Sequence, residues 1–177
     1  ESMGGILGLA LSALHPDRVC SLTLVGTPVF IEQKMKDRYS LGHGSRTEAM
    51  QQMGIRDWVD ATTRKTRLPA DEEPDLFNWY VEEFAKGDPD VQVAMSKLVN
   101  AADASSFLPN IRAPVLGLYP TSGQITSERQ EALLRDGLAD FTMVHLPTAY
   151  HMVQLLHPEE CTDALRRFCA QHDATVG

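Results

Sequence analysis

Three short apolar runs, RVCSLTLVG, APVLGLY and DFTMVHLP, punctuate the chain and are separated by stretches of helical pattern. Each is bounded by Gly, Pro or Asp, and each is too short and too rich in Val, Leu and Thr to read as an amphipathic helix. Short continuous apolar runs of this kind suit strands covered on both faces of a parallel sheet. Strands alternating with helices predict an α/β class with right-handed crossovers. The helices are MGGILGLALSALHP, in which Leu7, Leu11 and Leu14 recur at helical spacing and the small residues suit close packing on a sheet. They continue with SERQEALLRDGL, with Ser127 as N-cap, and MVQLLHPEECTDALRRFCAQH, interrupted near Pro158. Three parallel strands leave long apolar edges, and the first would need a further neighbour. The pattern reads as part of a larger sheet.

Between Pro28 and Asn100 the texture changes to Met, Gln, Lys and Glu, with helical patterns at TEAMQQMGIRDWVDATTRK and LFNWYVEEFAKG. Turn signals fall at LGHGS, RLPADEEP and GDPD. A segment of roughly seventy residues is too long for a plain loop and reads as a helical insertion. The expected organisation is therefore core 1–27, helical insertion 28–100 and core 101–177.

A net charge of −8 without any basic stripe argues against nucleic acid as a partner. No apolar run approaches the ~20 residues that span a bilayer, so no membrane association is expected. Cys20, Cys161 and Cys169 lack metal-ligand spacing. The last two, if on one helix, stand about 12 Å apart, beyond disulfide reach. Such a set fits buried free thiols in a reducing, cytoplasmic setting.

The chain opens with ESMGG. Ser2 has two readings: an N-cap for the Gly-rich helix, or a nucleophile on a sharp turn before it. Followed by the order helix, strand, helical insertion, strand, helix, strand, His loop and helix, the motif resembles the C-terminal two-thirds of an α/β-hydrolase-fold protein, in which G-x-S-x-G forms the nucleophile elbow. ESMGG matches from the motif's second position. The resemblance implies Ser2 as nucleophile, the Met3 N–H as one oxyanion donor, and Gly4 and Gly5 as the small residues the elbow requires. It implies a second oxyanion donor from an early loop outside this chain. His151, in LPTAYHMVQLLHPEE, stands where the family places its general base. The other histidines, His15, His43, His145, His157 and His172, read as structural or surface residues.

The acid departs from the family pattern. The loop YPTSGQIT, where the family usually carries Asp, has no carboxylate. Glu128 just downstream is one candidate to reach back, although TSERQ also reads as a first helical turn. Another acid would come from the insertion or from outside the chain. A Ser–His dyad, with Thr121 or Ser122 holding the ring, is the third option.

The insertion corresponds to the family's cap, with Met53, Trp58, Phe77, Trp79 and Tyr80 either lining an apolar pocket or packing the cap. Asp103 reads as a hinge residue. The implied activity is cleavage of carboxylic esters or lactones through an acyl-enzyme, with no cofactor and no metal. An acyltransferase would use the same site, and a ligand-binding or regulatory module that lost catalysis is the alternative. The implied partner is an N-terminal half of the fold, held as a cleaved heterodimeric chain or as a segment absent from this sequence.

Overall fold

The computed structural model describes residues 1–172. The described residues form two compact units, Glu1–Phe30 with the segment from Asp103 onward, and Ile31–Ala102.

The first unit is built on three parallel strands, β1 (Leu22–Val25), β2 (Val115–Pro120) and β3 (Phe141–Leu146), ordered β1-β2-β3. Leu24 pairs with Gly117, and Gly117 with Met143. Central β2 is buried along its whole length, which explains its unbroken apolar run. Among the described residues β1 and β3 are the sheet edges. Leu116 and Leu118 of β2 and Leu146 of β3 form a core with Val153, Cys161, Ala164 and Phe168. Those last residues come from α8 (Val153–Leu156) and α9 (Pro158–His172). Pro158 opens α9, where its missing N–H costs nothing. Cys20, expected to be buried, is exposed because it precedes β1 in a bend; Cys161 is the buried thiol.

Helix α1 (Met3–Leu14) buries Gly5, Ile6, Leu9 and Ser12. A Cβ on Gly5 would stand 1.9 Å from Thr27 Oγ1, so the helix reaches the end of β1 only because this residue lacks a side chain. The leucine stripe lies on the other side: Leu7, Leu11 and Leu14 are 50%, 50% and 61% exposed. Helix α7 (Glu128–Gly137) is capped by Ser127, whose hydroxyl accepts from the Gln130 N–H at 3.3 Å. Buried Gln130 accepts from the Val29 N–H at 2.6 Å, fixing the chain beyond β1.

The second unit is wholly helical: α2 (Gln33–Ser40), α3 (Arg46–Met53), α4 (Ile55–Thr66), α5 (Pro74–Ala85) and α6 (Pro89–Ala101). The stretch TEAMQQMGIRDWVDATTRK is two helices rather than one, because Gly54 at φ 83° breaks the ladder between α3 and α4. Asp88 caps α6, accepting from the Asp90 and Val91 amides at 2.9 and 3.1 Å. Fully buried Trp58 centres this unit, with ring centroids 5.8 Å from Tyr39 and 6.2 Å from Phe84. Its indole N–H donates to the Tyr39 carbonyl at 2.9 Å. Phe77 is likewise buried, whereas Trp79 is 52% exposed. No helix of the described residues is long and apolar enough to cross a membrane.

Candidate active site

Ser2 sits between the end of β1 and the start of α1. Its amide donates to the Val25 carbonyl at 3.1 Å, and its own carbonyl accepts from the Gly5 and Ile6 amides at 2.9 and 3.3 Å. The backbone between these ties is forced to φ 47°, ψ −119°. Such a conformation costs a non-glycine residue about 1–3 kcal/mol and is held only where the surroundings over-determine it. The Ser2 hydroxyl makes no capping bond to α1. The ordinary reason for a serine at this position, satisfying a first-turn N–H, is therefore not in use here. Met3 begins the helix, so its N–H has no carbonyl one turn earlier to bond.

His151 follows β3 in the loop before α8 and is 2% exposed. Its ring lies against Gly26, the residue that ends β1 at φ 54°: a Cβ there would stand 2.7 Å from both Cε1 and Nδ1. The Ser2 amide is bonded to Val25 and the His151 ring packs on Gly26, so the two are tied to consecutive residues of one strand end without a hydrogen bond between them. His151 Nε2 is 2.7 Å from Glu1 Oε1, the carboxylate of the residue preceding Ser2. The contact has the distance of an ion pair without the alignment of a hydrogen bond, and neither ring nitrogen has a hydrogen-bond partner among the described residues.

The strand end is pinned from two further sides. Buried Tyr119 donates its hydroxyl to the Thr27 carbonyl at 2.8 Å, and Thr126 donates to the Gly26 carbonyl at 3.2 Å. Burial, with the negative charge of Glu131 adding to it, pushes the Tyr119 phenol well above its ordinary pKa.

The other acid candidates are not brought to the imidazole. Glu128 is exposed in the first turn of α7 and makes no ion pair with His151. The Thr121 hydroxyl is used elsewhere, donating to the Leu146 carbonyl at 2.7 Å, and Ser122 is exposed. Among the other histidines, His145 contacts Glu131 at 3.1 Å on the surface, and His43 Nδ1 lies 2.9 Å from Gln52. Asp103 pairs with Phe30 in an isolated antiparallel bridge and accepts from the Ser105 N–H at 2.8 Å. Two contributors were not singled out from sequence: Glu1, which is adjacent to Ser2, and Gly26, which ends an apolar run. Adjacency to a nucleophile candidate and a glycine at a strand's C-terminal end are the signals that could have flagged them. No group of three or more His, Cys, Asp and Glu side chains among the described residues could hold a metal ion.

No family model matches the sequence, and no curated protein matches it by sequence. Solved structures do match. The enol-lactonase from Burkholderia xenovorans LB400 superposes with a TM-score of 0.79 at 24% identity, covering 96% of this chain and 63% of that one. MGS-M2, an alpha/beta hydrolase enzyme from a Medee basin deep-sea metagenome library, gives 0.78 at 18% identity over 93% of this chain and 62% of that one. The chain has the α/β-hydrolase fold. Est816, an N-acyl homoserine lactone degrading enzyme, follows at TM-score 0.71 and 20% identity, with 94% and 64% covered. The chain spans less than two thirds of the length of each of these structures. Within the α/β-hydrolase fold, the Ser2 turn and the His151 loop belong to the sheet-bearing unit, at the C-terminal ends of parallel strands, where open α/β sheets bind ligands.

Proposed function

We propose that the chain carries the nucleophile and the general base of a serine hydrolase acting on carboxylic esters or lactones. The single observation that supports this best is the strained, uncapping Ser2 fixed to the same strand end that packs His151. Backbone strain at a serine with no structural use for its hydroxyl is the pattern expected of a nucleophile.

In this mechanism Ser2 Oγ attacks the ester carbonyl carbon while His151 takes its proton. The tetrahedral oxyanion is held by the Met3 N–H at the start of α1, where orphan amides and the helix dipole favour negative charge. Collapse expels the alcohol, which leaves with the proton from His151, or in a lactone stays tethered as a hydroxyl. Water, deprotonated by His151, then attacks the acyl-enzyme and releases the acid and free Ser2. Glu1 supplies the negative charge that steadies the imidazolium in both halves, in place of a carboxylate from the loop after β2. The names of two structural neighbours, an enol-lactonase and an N-acyl homoserine lactone degrading enzyme, favour a lactone within this class. An acyltransferase differs only in the acceptor, and the fold does not choose between them.

The reading includes a further segment of the same fold, on the same polypeptide or a separate chain, that pairs with β1 and covers α1. It would also bring the second oxyanion donor. The exposed Leu7, Leu11 and Leu14, and the place of β1 at a sheet edge among the described residues, support it.

The test is labelling of the native-length protein by a fluorophosphonate, read by intact mass, alongside hydrolysis of a p-nitrophenyl ester. Wild type should gain one adduct, and Ser2→Ala none, with the esterase rate lowered about 10⁴-fold or more. A second reading, a ligand-binding module without turnover, draws on the carboxylate-free loop after β2. Absence of an adduct on folded wild type would favour it and remove the hydrolase assignment.

A further inference from the structure

The helical unit Ile31–Ala102 contains a cation that its own residues do not neutralise. Arg46 opens α3 with its guanidinium carbon 5.0 Å from the ring centroid of Tyr39 and 4.8 Å from that of Trp58. Its Nε is sealed from solvent and has no hydrogen-bond partner. No carboxylate of the described residues lies within ion-pair distance of it, and none of its five N–H donors bonds to the protein. Its two Nη nitrogens, unlike Nε, remain open to solvent.

A second guanidinium crowds it. Arg67 is 8% exposed and stands 4.9 Å from the same Tyr39 ring, with Nη1 donating to Thr62 Oγ1 at 3.3 Å. Two like charges thus share one aromatic ring in a half-buried setting. Burial, followed by the charge of Arg67, lowers the Arg46 pKa to about 10. Aromatic faces offset part of the cost of a desolvated guanidinium but leave its N–H edge unsatisfied. Arg56 and Arg135, both exposed, meet Glu82 and Glu131. Arg46 differs in that its Nε is buried without any partner, which leaves its acceptor to come from outside.

We propose that Arg46, with Arg67 behind it, is an anion subsite that takes the carboxylate of a small organic acid. A carboxylate meets the two Nη groups edge-on in the plane of the fork, giving paired charge-assisted bonds. Tyr39 and Trp58, both buried, back the guanidinium at its faces and leave its Nη edge as the part presented to a ligand. The assignment does not depend on Ser2 chemistry, so it stands or falls separately from the hydrolase reading.

The experiment is the thermal midpoint of native-length Ser2→Ala protein, in which no turnover can consume the probe. Succinate, dimethyl succinate, phosphate and sodium chloride are compared at matched ionic strength. Succinate should raise the midpoint by several degrees at saturating concentration, since a ligand bound to the native state alone stabilises it. Its neutral diester and chloride should not. Arg46→Met should abolish the succinate effect while leaving the ligand-free midpoint unchanged or higher, because it removes an uncompensated charge. Arg46→Lys should weaken the effect about tenfold, having lost the fork. An equal shift with chloride, a succinate effect that survives Arg46→Met, or a full effect in Arg46→Lys overturns the subsite. A phosphate shift matching that of succinate overturns the carboxylate assignment. Should Arg46→Met fail to fold, the lysine variant decides alone.

Discussion

Gly26→Ala tests whether His151 is held by the strand end that also holds Ser2. The new Cβ would sit 2.7 Å from Cε1 and Nδ1 of the imidazole and 3.2 Å from the His151 carbonyl oxygen. Carbon contacts in a packed interior lie at about 3.5–4.0 Å, so the ring must retreat by about 1 Å. The backbone adds its own cost, because φ is 54° and an alanine there loses about 1–2 kcal/mol. With the carbonyl contact included, we expect a loss of about 2–3 kcal/mol of unfolding free energy, in the range of a strained and overpacked site. A displacement of about 1 Å at a catalytic group costs about 10²-fold in rate. Urea denaturation gives the first quantity, and the second-order rate of fluorophosphonate labelling of Ser2 gives the second. Gly4→Ala is the control. The resemblance implies a small residue there, yet nothing lies within 4 Å of a Cβ on Gly4, so an alanine in that helical turn should stabilise by about 0.5–1 kcal/mol. If Gly26→Ala is destabilised but labels Ser2 at the wild-type rate, His151 is not the base. If its stability does not change, the close approach of ring and strand is wrong.

Gly5→Ala should cost several kcal/mol, since its Cβ would fall 1.9 Å from Thr27 Oγ1 and 2.7 Å from Thr27 Cβ; Thr27→Gly should recover part of the loss, and strict additivity in that double-mutant cycle would refute the contact. Glu1→Gln should slow ester hydrolysis about tenfold or more while leaving urea stability within about 0.5 kcal/mol, since the removed carboxylate is partly exposed; an unchanged kcat/KM would make Glu1 a bystander. Tyr119 gives an alkaline signature. Its folded pKa is raised, so its contribution is fully present below the unfolded value near about 10 and is lost as pH rises beyond it, by about 1.4 kcal/mol per pH unit. Tyr119→Phe should flatten that part of the stability profile, and an unaltered alkaline slope would contradict a phenol buried against Thr27.

The strands were legible because burial on both faces of β2 leaves a continuous apolar run that no amphipathic helix would carry. The approach of α1 to the sheet was legible too, in the concentration of glycines, but the face was not. Leu7, Leu11 and Leu14 recur at helical spacing as a core face would, yet they are exposed, and the buried side is the small one with Gly5, Ile6 and Leu9. Periodicity reports that a helix has an apolar stripe, and only the partner decides which stripe is covered. The break at Gly54 inside a single helical pattern was hidden because a glycine is tolerated in a helix until its φ is known. Ser2 and His151 stood out through order along the chain. Glu1 did not, because its relation to His151 spans the entire unit and appears only once β1 and β3 are placed.

The architecture of the site turns on three consecutive residues. Val25 receives the Ser2 amide, Gly26 admits the His151 ring, and Thr27 fills the space that Gly5 vacates. The carbonyls of Gly26 and Thr27 are then taken by Thr126 and Tyr119. The loop after β2 thus spends its polar groups on backbone: Thr121 goes to β3 and Thr126 to β1. A loop committed in this way can hold the strand end rigid, and none of its groups hydrogen-bonds the His151 imidazole. Positioning of His151 therefore falls to steric packing against a glycine, and the nearest charge to its ring is the carboxylate of Glu1, beside the proposed nucleophile. Packing can fix a ring as firmly as a hydrogen bond, but it does not select a tautomer. An enzyme built this way would lose more to Gly26→Ala, which moves the ring, than to Glu1→Gln, which only removes a charge from it. The reverse order would mean that charge rather than packing governs the site.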